Sequence, residues 1–448
     1  RMSAVNKSKE DEGTFSTKVI KIVFIILLLD LLGFTLILPL LPSILDHYAE
    51  SGDGVYQSLQ SVVDWFREAV GIPLEKKYNS VLFGGLIGSL FSLLQFLASP
   101  VTGALSDSYG RRPLLMLTTL GLMSSYAVWA VSRSFSMFLL FRVIGGICKG
   151  NVSLCTAIIA DLPCPKARNR GMAMIGVAFS LGFTVGPLMG AYFAISSKAT
   201  GNVFYLTPAL LALAFSTADL LFIWLMLPET LTKDVKVSCG DCRDLLHPLS
   251  LFYFAAVSKK KDQLSRNGMQ SLRVLGLVYF CYLFLFSGLE FTLSFLTHQR
   301  FQFTSMEQGK MFFFIGVIMA LIQGGYARRI KPGQQIKAVR MLLYYMTLCY
   351  IAFYLKMSNL CIYYPILAAA AIVVPCLSTL VSDHGSASQK GTVMGILRSL
   401  GALARALGPV LSSSVYWIAG AQTCFLITSA SFVLPLALLG IARRLKEE

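Results

Sequence analysis

Gly103-Ala104-Leu105-Ser106-Asp107-Ser108-Tyr109-Gly110-Arg111-Arg112 is a short, largely polar run with long apolar stretches on both sides, 80–102 before it and 113–131 after it. Gly103 and Gly110 permit a tight turn, Asp107 suits the positive N-terminus of a neighbouring helix, and Arg111 suits a carboxylate. Each flanking stretch is about 20 residues, the length of helix that crosses a hydrocarbon core about 30 Å thick. The run therefore reads as the turn between two membrane spans.

The same alternation fills the chain. Twelve spans are expected, at 19–42, 80–102, 113–131, 136–161, 171–194, 203–227, 272–297, 308–327, 338–356, 360–382, 391–416 and 421–442. Of the 448 residues, 14% are charged and 55% apolar, where soluble domains carry about 25% and 45–50%. With a mean hydropathy of +0.66, too few polar groups exist to cover a water-exposed surface. The chain is thus an all-α membrane protein surrounded by lipid bilayer. The net charge of +16 sits in short segments between apolar blocks, so no nucleic-acid partner is expected. The polar residues before the first apolar block precede a stretch long enough to span, which predicts a signal anchor rather than a cleavable leader.

The longest polar segment, 228–271, divides two six-span halves. The expected domains are a tail 1–18, an N-terminal bundle 19–227, a linker 228–271, a C-terminal bundle 272–443 and a tail 444–448. Basic residues crowd the tails, the linker and the even-to-odd loops, including Arg111, Arg112, Lys166, Arg168 and Arg170. By the positive-inside tendency both termini are cytosolic. Gly186-Pro187 and Gly408-Pro409 recur 222 residues apart, as expected of two parallel repeats around a midplane site. In the linker, Leu249, Leu251, Phe252 and Phe254 precede Lys259-Lys260-Lys261, the pattern of a short interfacial helix. Cys239 and Cys242 form the one close cysteine pair and read as reduced loop cysteines or a lipidation site.

The run 103–112 resembles the loop 2–3 signature of the major facilitator superfamily. Asp30 through Pro42, with Gly33 and Pro39, resembles that family's first-span motif. Arg142 and Gly146 resemble its fourth-span motif, and Ala160-Asp161-Leu162 the end of that span. Gly182, Gly186, Pro187 and Gly190 resemble the fifth-span motif of its antiporters. Lys77–Gly88, Gly145–Ala157, Phe286–Phe303 and Gly391–Arg405 look like a vertebrate, tetracycline-transporter-like branch to which organic-anion transport is assigned; the bacterial relatives are drug/proton antiporters. The resemblance implies the major facilitator fold and a cytosolic gate of Gly103, Asp107, Gly110, Arg111, Arg112 and Asp161. Within that gate Asp107, Arg111 and Asp161 form an ionic latch. At a water-exposed edge such pairs are worth roughly 0–1 kcal/mol each. Gly182, Gly186, Pro187 and Gly190 are expected to pack helices closely. Loop 8–9 has Gly324, Arg328 and Arg329 but lacks a counterpart of Asp107.

Seven ionisable residues fall inside spans: Asp30, Arg142, Lys149, Asp219, Glu290, Arg398 and Arg405. Each costs at least ~2.5–3.5 kcal/mol on insertion scales, so each calls for a partner or a wet cavity. Arg142 and Lys149 are seven residues apart on one helix, as are Arg398 and Arg405 on another. That spacing is nearly two turns, so each pair shares a face. Lys149, Arg398, Arg405 and Arg142 are the candidate anion-binding residues, and Asp30 with Glu290 the candidate proton carriers. Asp219 reads as structural.

The function expected is secondary active transport of small organic anions by alternating access, coupled to protons, by a monomer. Alternatives are a proton-coupled exporter of cationic or zwitterionic drugs and a non-transporting membrane adaptor. An enzyme is not expected: the four His are scattered, and neither a Gly-x-Ser-x-Gly elbow nor a Gly-Lys-Ser/Thr phosphate loop occurs. No metal or cofactor is expected. The membrane is the plasma membrane or an endomembrane, including the nuclear envelope.

Overall fold

The computed structural model describes residues 2–200, 206–231, 245–258, 265–302, 305–355, 363–386 and 388–447. Cys239, Cys242 and Lys259 to Lys261 lie outside the described residues. Among the described residues eight helical stretches are long and apolar enough to cross a membrane. They are span 2 (Tyr78–Tyr109), span 3 (Arg111–Val131), span 4 (Phe135–Ala160), span 5 (Pro165–Gly190), span 6 (Leu206–Met226), span 7 (Arg266–Thr297), span 11 (Lys390–Ala419) and span 12 (Ala421–Ala442). The helices Met2–Thr35, Ser305–Gly325, Gln335–Leu355 and Tyr363–His384 coincide with the remaining expected spans 1, 8, 9 and 10.

Span boundaries follow local chemistry. Gly110 adopts φ +109 between spans 2 and 3, a conformation open to glycine and strained for other residues. Ser134 caps span 4, its hydroxyl accepting from the Met137 backbone N–H at 3.3 Å. Span 1 stops at Thr35 rather than running to residue 42, and Leu36 to Leu40 form a turn. Pro39 supplies no N–H to continue the helix, and Pro42 sits in the first turn of the next one. That next helix, Leu41–Ser51, and its neighbour Gly54–Val70 give structure to the long first outer loop.

Span 4 is broken. Its first part ends at Cys148, Lys149 leaves helical geometry at φ −75, ψ 45, and the helix resumes at Asn151. Span 12 is divided at Phe432. Spans 2 and 11 pack along their whole length. Ser399 Oγ donates to the Phe96 carbonyl at 2.6 Å and Ser89 Oγ to the Ala406 carbonyl at 3.2 Å. Hydroxyls satisfying carbonyls of a facing helix suit a seam without water.

Glycines set the helix separations. A Cβ on Gly182 would sit 2.6 Å from Leu31 Cβ, and Gly186 and Gly190 press on Thr35 and Leu36, so span 5 lies tightly on span 1. Thr35 Oγ1 donates to the Gly182 carbonyl at 3.0 Å. In the other half Gly408 lies on span 7, where a Cβ would come within 2.5 Å of the Phe284 carbonyl oxygen. Pro187 and Pro409, each next to one of these glycines, sit inside continuous helices. The repeated Gly-Pro therefore marks the same contact twice, span 5 on span 1 and span 11 on span 7.

The linker is tied down. Leu251 and Phe254 are buried, Phe254 against Gly276 of span 7, while Leu249 and Tyr253 are exposed. Leu245 and Ala256 pack on Ala104 of span 2. The linker's described residues include two short helical pieces, Pro248–Phe252 and Ala255–Ser258.

Candidate transport site and gate

At the loop 2–3 end, Gly103 lets span 2 touch the first turn of span 11 at Gly391. The approach brings Asp107 onto the free backbone N–H groups that open span 11, where a carboxylate is most stable. Asp107 Oδ1 accepts from Gly391 N at 2.9 Å, and Oδ2 from Thr392 N at 2.7 Å and Thr392 Oγ1 at 2.6 Å. Arg111 holds the carboxylate from the other side, Nη1 to Oδ1 at 2.7 Å. Its Nε reaches Asp161 Oδ2 at 2.9 Å, and Nη1 donates to Ser106 Oγ at 2.6 Å. Lys390 Nζ donates to the Ala160 carbonyl.

The expectation of weak, exposed pairs does not describe this geometry. The side chains of Asp107 and Arg111 are fully buried. A buried pair pays a desolvation cost but, once formed, loses about 3–5 kcal/mol when one partner is removed. Arg112, expected in the gate beside Arg111, shares the Glu229 carboxylate with it. Its backbone N–H bonds Glu229 at 3.2 Å and its guanidinium turns to the Trp224 carbonyl, so it ties span 3 to span 6 within one half.

Several gate residues carried no sequence signal. Glu229 Oε1 accepts from Arg111 N at 3.0 Å, capping span 3, and a Cβ on Gly110 would lie 2.6 Å from its Oε2. Thr230 Oγ1 donates to Asp161 at 3.2 Å. A second contact between halves joins Arg168 to Asp383 at 2.9 Å, with Asn169 Nδ2 donating to the Ile330 carbonyl. These contacts link residues 69 to 215 positions apart, beyond any periodicity.

Both ends of the 2–11 seam are closed. At the opposite end Tyr78 packs edge-on against Trp417, ring centres 5.2 Å apart, and against Phe295 at 5.9 Å. Tyr416 Oη donates to Gln299 Oε1 at 2.6 Å beside them.

The interior charges are arranged unequally. In the N-terminal half Lys149 Nζ lies 2.6 Å from Asp30 Oδ2, both buried. Lys149 is therefore not the unpaired cation that its place on span 4 suggests; the break in the helix lets it reach span 1. Arg142 is held among the rings of Phe91 at 4.8 Å, Phe141 at 5.6 Å and Phe34 at 5.9 Å, which also line a small cavity. Its Nε has no hydrogen-bond partner. Asp219 is buried, with Oδ1 unpartnered.

In the C-terminal half no such closure occurs. Among the described residues neither Arg398 nor Arg405 has a carboxylate within 4 Å. Arg398 stands over the Phe179 ring at 5.3 Å, across the interface between halves, and its Nε is unpartnered. Arg405 Nη2 donates to Gln95 Oε1 at 3.2 Å, and Gln95 Nε2 donates to the Lys149 carbonyl at 3.2 Å. A neutral amide thus joins the break in span 4 to a cation of span 11. Glu290 on span 7 presents an exposed side chain, and among the described residues no ion pair holds it. Among the described residues no group of three His, Cys, Asp or Glu is placed to hold a metal.

The family profile described as Major Facilitator Superfamily matches residues 23–409. The chain is 56% identical to major facilitator superfamily domain-containing protein 10 of Bos taurus, over 96% of this chain and 95% of that one. The human protein of that name is also 56% identical, over 94% and 92%. Tetracycline resistance protein, class B, of Escherichia coli is 24% identical over 88% of each chain. A crystal structure of the human organic anion transporter MFSD10 (TETRAN) superposes with a TM-score of 0.90 and 55% identity, covering 95% of this chain and 99% of that one. A family profile matching most of the chain, a relative 56% identical over nearly its full length and a solved structure superposing at a TM-score of 0.90 agree: the chain belongs to the major facilitator superfamily and is a membrane transporter, not an enzyme.

Proposed function

We propose that the chain carries small organic anions across the membrane by alternating access, coupled to protons. The observation that carries the reading is the pair Arg398 and Arg405 on span 11, two half-buried guanidiniums that, among the described residues, have no carboxylate within 4 Å. Cations kept unpaired at such cost suit a substrate that brings the missing negative charge. The Phe179 ring under Arg398 offers an apolar face for the body of the substrate. The relative whose structure is described as an organic anion transporter supports the same reading.

In this reading Arg142 adds positive potential behind aromatic rings, Asp30 and Glu290 handle the proton, and Lys149 responds to Asp30. The bonds of Asp107, Arg111 and Asp161 with the start of span 11 hold the cytosolic side closed between openings. Gly103 and Gly110 allow that closure, and Arg112 steadies the base of span 3. The carrier works as a monomer with both termini cytosolic.

Export of a cationic or zwitterionic drug is the second reading, favoured by the unpaired Glu290 and by the tetracycline resistance relatives. Uptake of labelled organic anions into proteoliposomes, compared between wild type and Arg398→Ala, separates the two. Loss of anion flux in the variant is the expected result. Undiminished flux, together with saturable cation transport, overturns the anion reading.

A further inference from the structure

We propose that the small cavity beside Arg142 is a binding site for a monatomic anion, a halide, held by the Arg142 guanidinium and the Tyr126 hydroxyl. The inference does not depend on which substrate the chain carries.

Two glycines make the room. Gly33 of span 1 and Gly145 of span 4 line the cavity, whose volume is about 10 Å³. A chamber of that size takes about one water-sized particle. It therefore excludes an organic anion and suits a single small ion. Phe34 and Phe91, ring centres 5.3 Å apart, form part of the wall.

Span 4 carries two buried cations, and the structure answers them differently. Lys149 meets the Asp30 carboxylate at 2.6 Å. Arg142, only 6% exposed, has no carboxylate within 4 Å among the described residues, and its Nε has no hydrogen-bond partner. Asp219, the buried carboxylate of span 6, does not line the cavity. The rings of Phe91, Phe141 and Phe34 lie 4.8, 5.6 and 5.9 Å from the guanidinium. Ring faces attract a cation, but they answer only part of the cost of burying a full charge.

Tyr126 of span 3 supplies the second group. It lines the same cavity, is 5% exposed, and its hydroxyl has no partner among the described residues. Ser125, also in the wall, is committed to the Leu122 carbonyl at 2.7 Å. Arg142 Nε can only donate and the Tyr126 hydroxyl is free to donate, so both call for an acceptor. A halide accepts from both and brings the charge that the guanidinium lacks. A water accepts as well but leaves that charge unanswered. Seated there, the ion offsets the positive potential that Arg142 lends to the interior.

The test uses the whole chain purified in detergent, its thermal unfolding followed as chloride replaces gluconate at constant ionic strength. A saturable rise in Tm of a few degrees is expected, with bromide acting alike, because a ligand held by the folded state alone stabilises it. A Tm indifferent to halide overturns the site. Gly145→Ala asks where the ion sits. A Cβ there would meet Phe91 and Ser125 at 3.6 Å, an ordinary contact, while taking up part of the chamber. Halide affinity is expected to fall about tenfold in that variant, the effect of overpacking a small site. A response equal to wild type places the ion elsewhere and overturns the assignment. Tyr126→Phe, which removes one donor, is expected to weaken the response several-fold. If neither variant folds, wild-type crystals soaked in bromide still decide. An anomalous peak within hydrogen-bond reach of both Arg142 and Tyr126 supports the site; water alone at that place, or bromide found only elsewhere, overturns it.

Discussion

Asp107 on span 2 accepts both the backbone N–H and the hydroxyl of Thr392 on span 11, at 2.7 and 2.6 Å, joining the two halves through the first turn of a helix. The carboxylate meets helix-terminal N–H groups on one side and Arg111 on the other. Opening at this end must separate a desolvated anion from at least three donors, so the closed state is well defined.

Asp107→Asn replaces the charged acceptor by an amide that donates where an acceptor is needed. Hydrogen bonds to a charged group contribute about 1.5–3 kcal/mol each, so a shift of tenfold or more toward the open state is expected. Spin labels at Tyr109 and Tyr326, both exposed, read it as a longer distance. An unchanged distance distribution would contradict the role given to Asp107. Thr392→Val, which removes only the hydroxyl bond, is expected to shift the equilibrium by about 1 kcal/mol.

Lys149→Met leaves Asp30 buried without its cation and is expected to cost about 3–5 kcal/mol of stability. The double variant Lys149→Met/Asp30→Leu should recover most of that loss, because no charge is then stranded. Thermal unfolding of the purified proteins in one detergent measures both. Equal destabilisation by single and double variants would mean that the 2.6 Å contact is not the source of the cost.

Gly395→Leu tests the seam. A Cβ at Gly395 would lie 2.6 Å from the Ser99 carbonyl oxygen and 3.1 Å from Gly103 Cα, backbone atoms that have no rotamer to yield. Spans 2 and 11 are then forced apart at the gate, and transport is expected to fall at least tenfold while the protein remains in the membrane. The distance between the labels at Tyr109 and Tyr326 should lengthen in parallel. Normal transport would show that closure there is dispensable.

Glu229→Gln keeps one acceptor at the start of span 3 and loses the negative charge. Caps of this kind are worth about 0.5–2 kcal/mol, so a loss near 1 kcal/mol is expected in equilibrium unfolding, with little change in the span 2 to span 11 distance. A large change in that distance would transfer Glu229 from supporting Arg111 to the gate itself.

Much of the architecture was legible in the order of residues. Membrane helices must be long and apolar because their backbone has no other source of hydrogen bonds, so the spans, the long polar linker and the repeated Gly-Pro could be read directly. Asp107 and Arg111 were legible as well, being four residues apart around a glycine turn.

Contacts between distant segments were not. Glu229 meets Arg111 across 118 residues, and Gln95 meets Arg405 across 310; neither has a local pattern, because side chains on different helices become neighbours only after packing. The tertiary structure alone decided which charges are paired. Lys149 and Arg405 look alike along the chain, each a cation in an apolar span, yet the break in span 4 carries Lys149 to Asp30 while the unbroken span 11 leaves Arg405 with a neutral amide. Hydrophobicity fixes that a helix crosses the bilayer; which of its charges finds a counter-ion depends on helix rotation and kink, which only the packed neighbours determine.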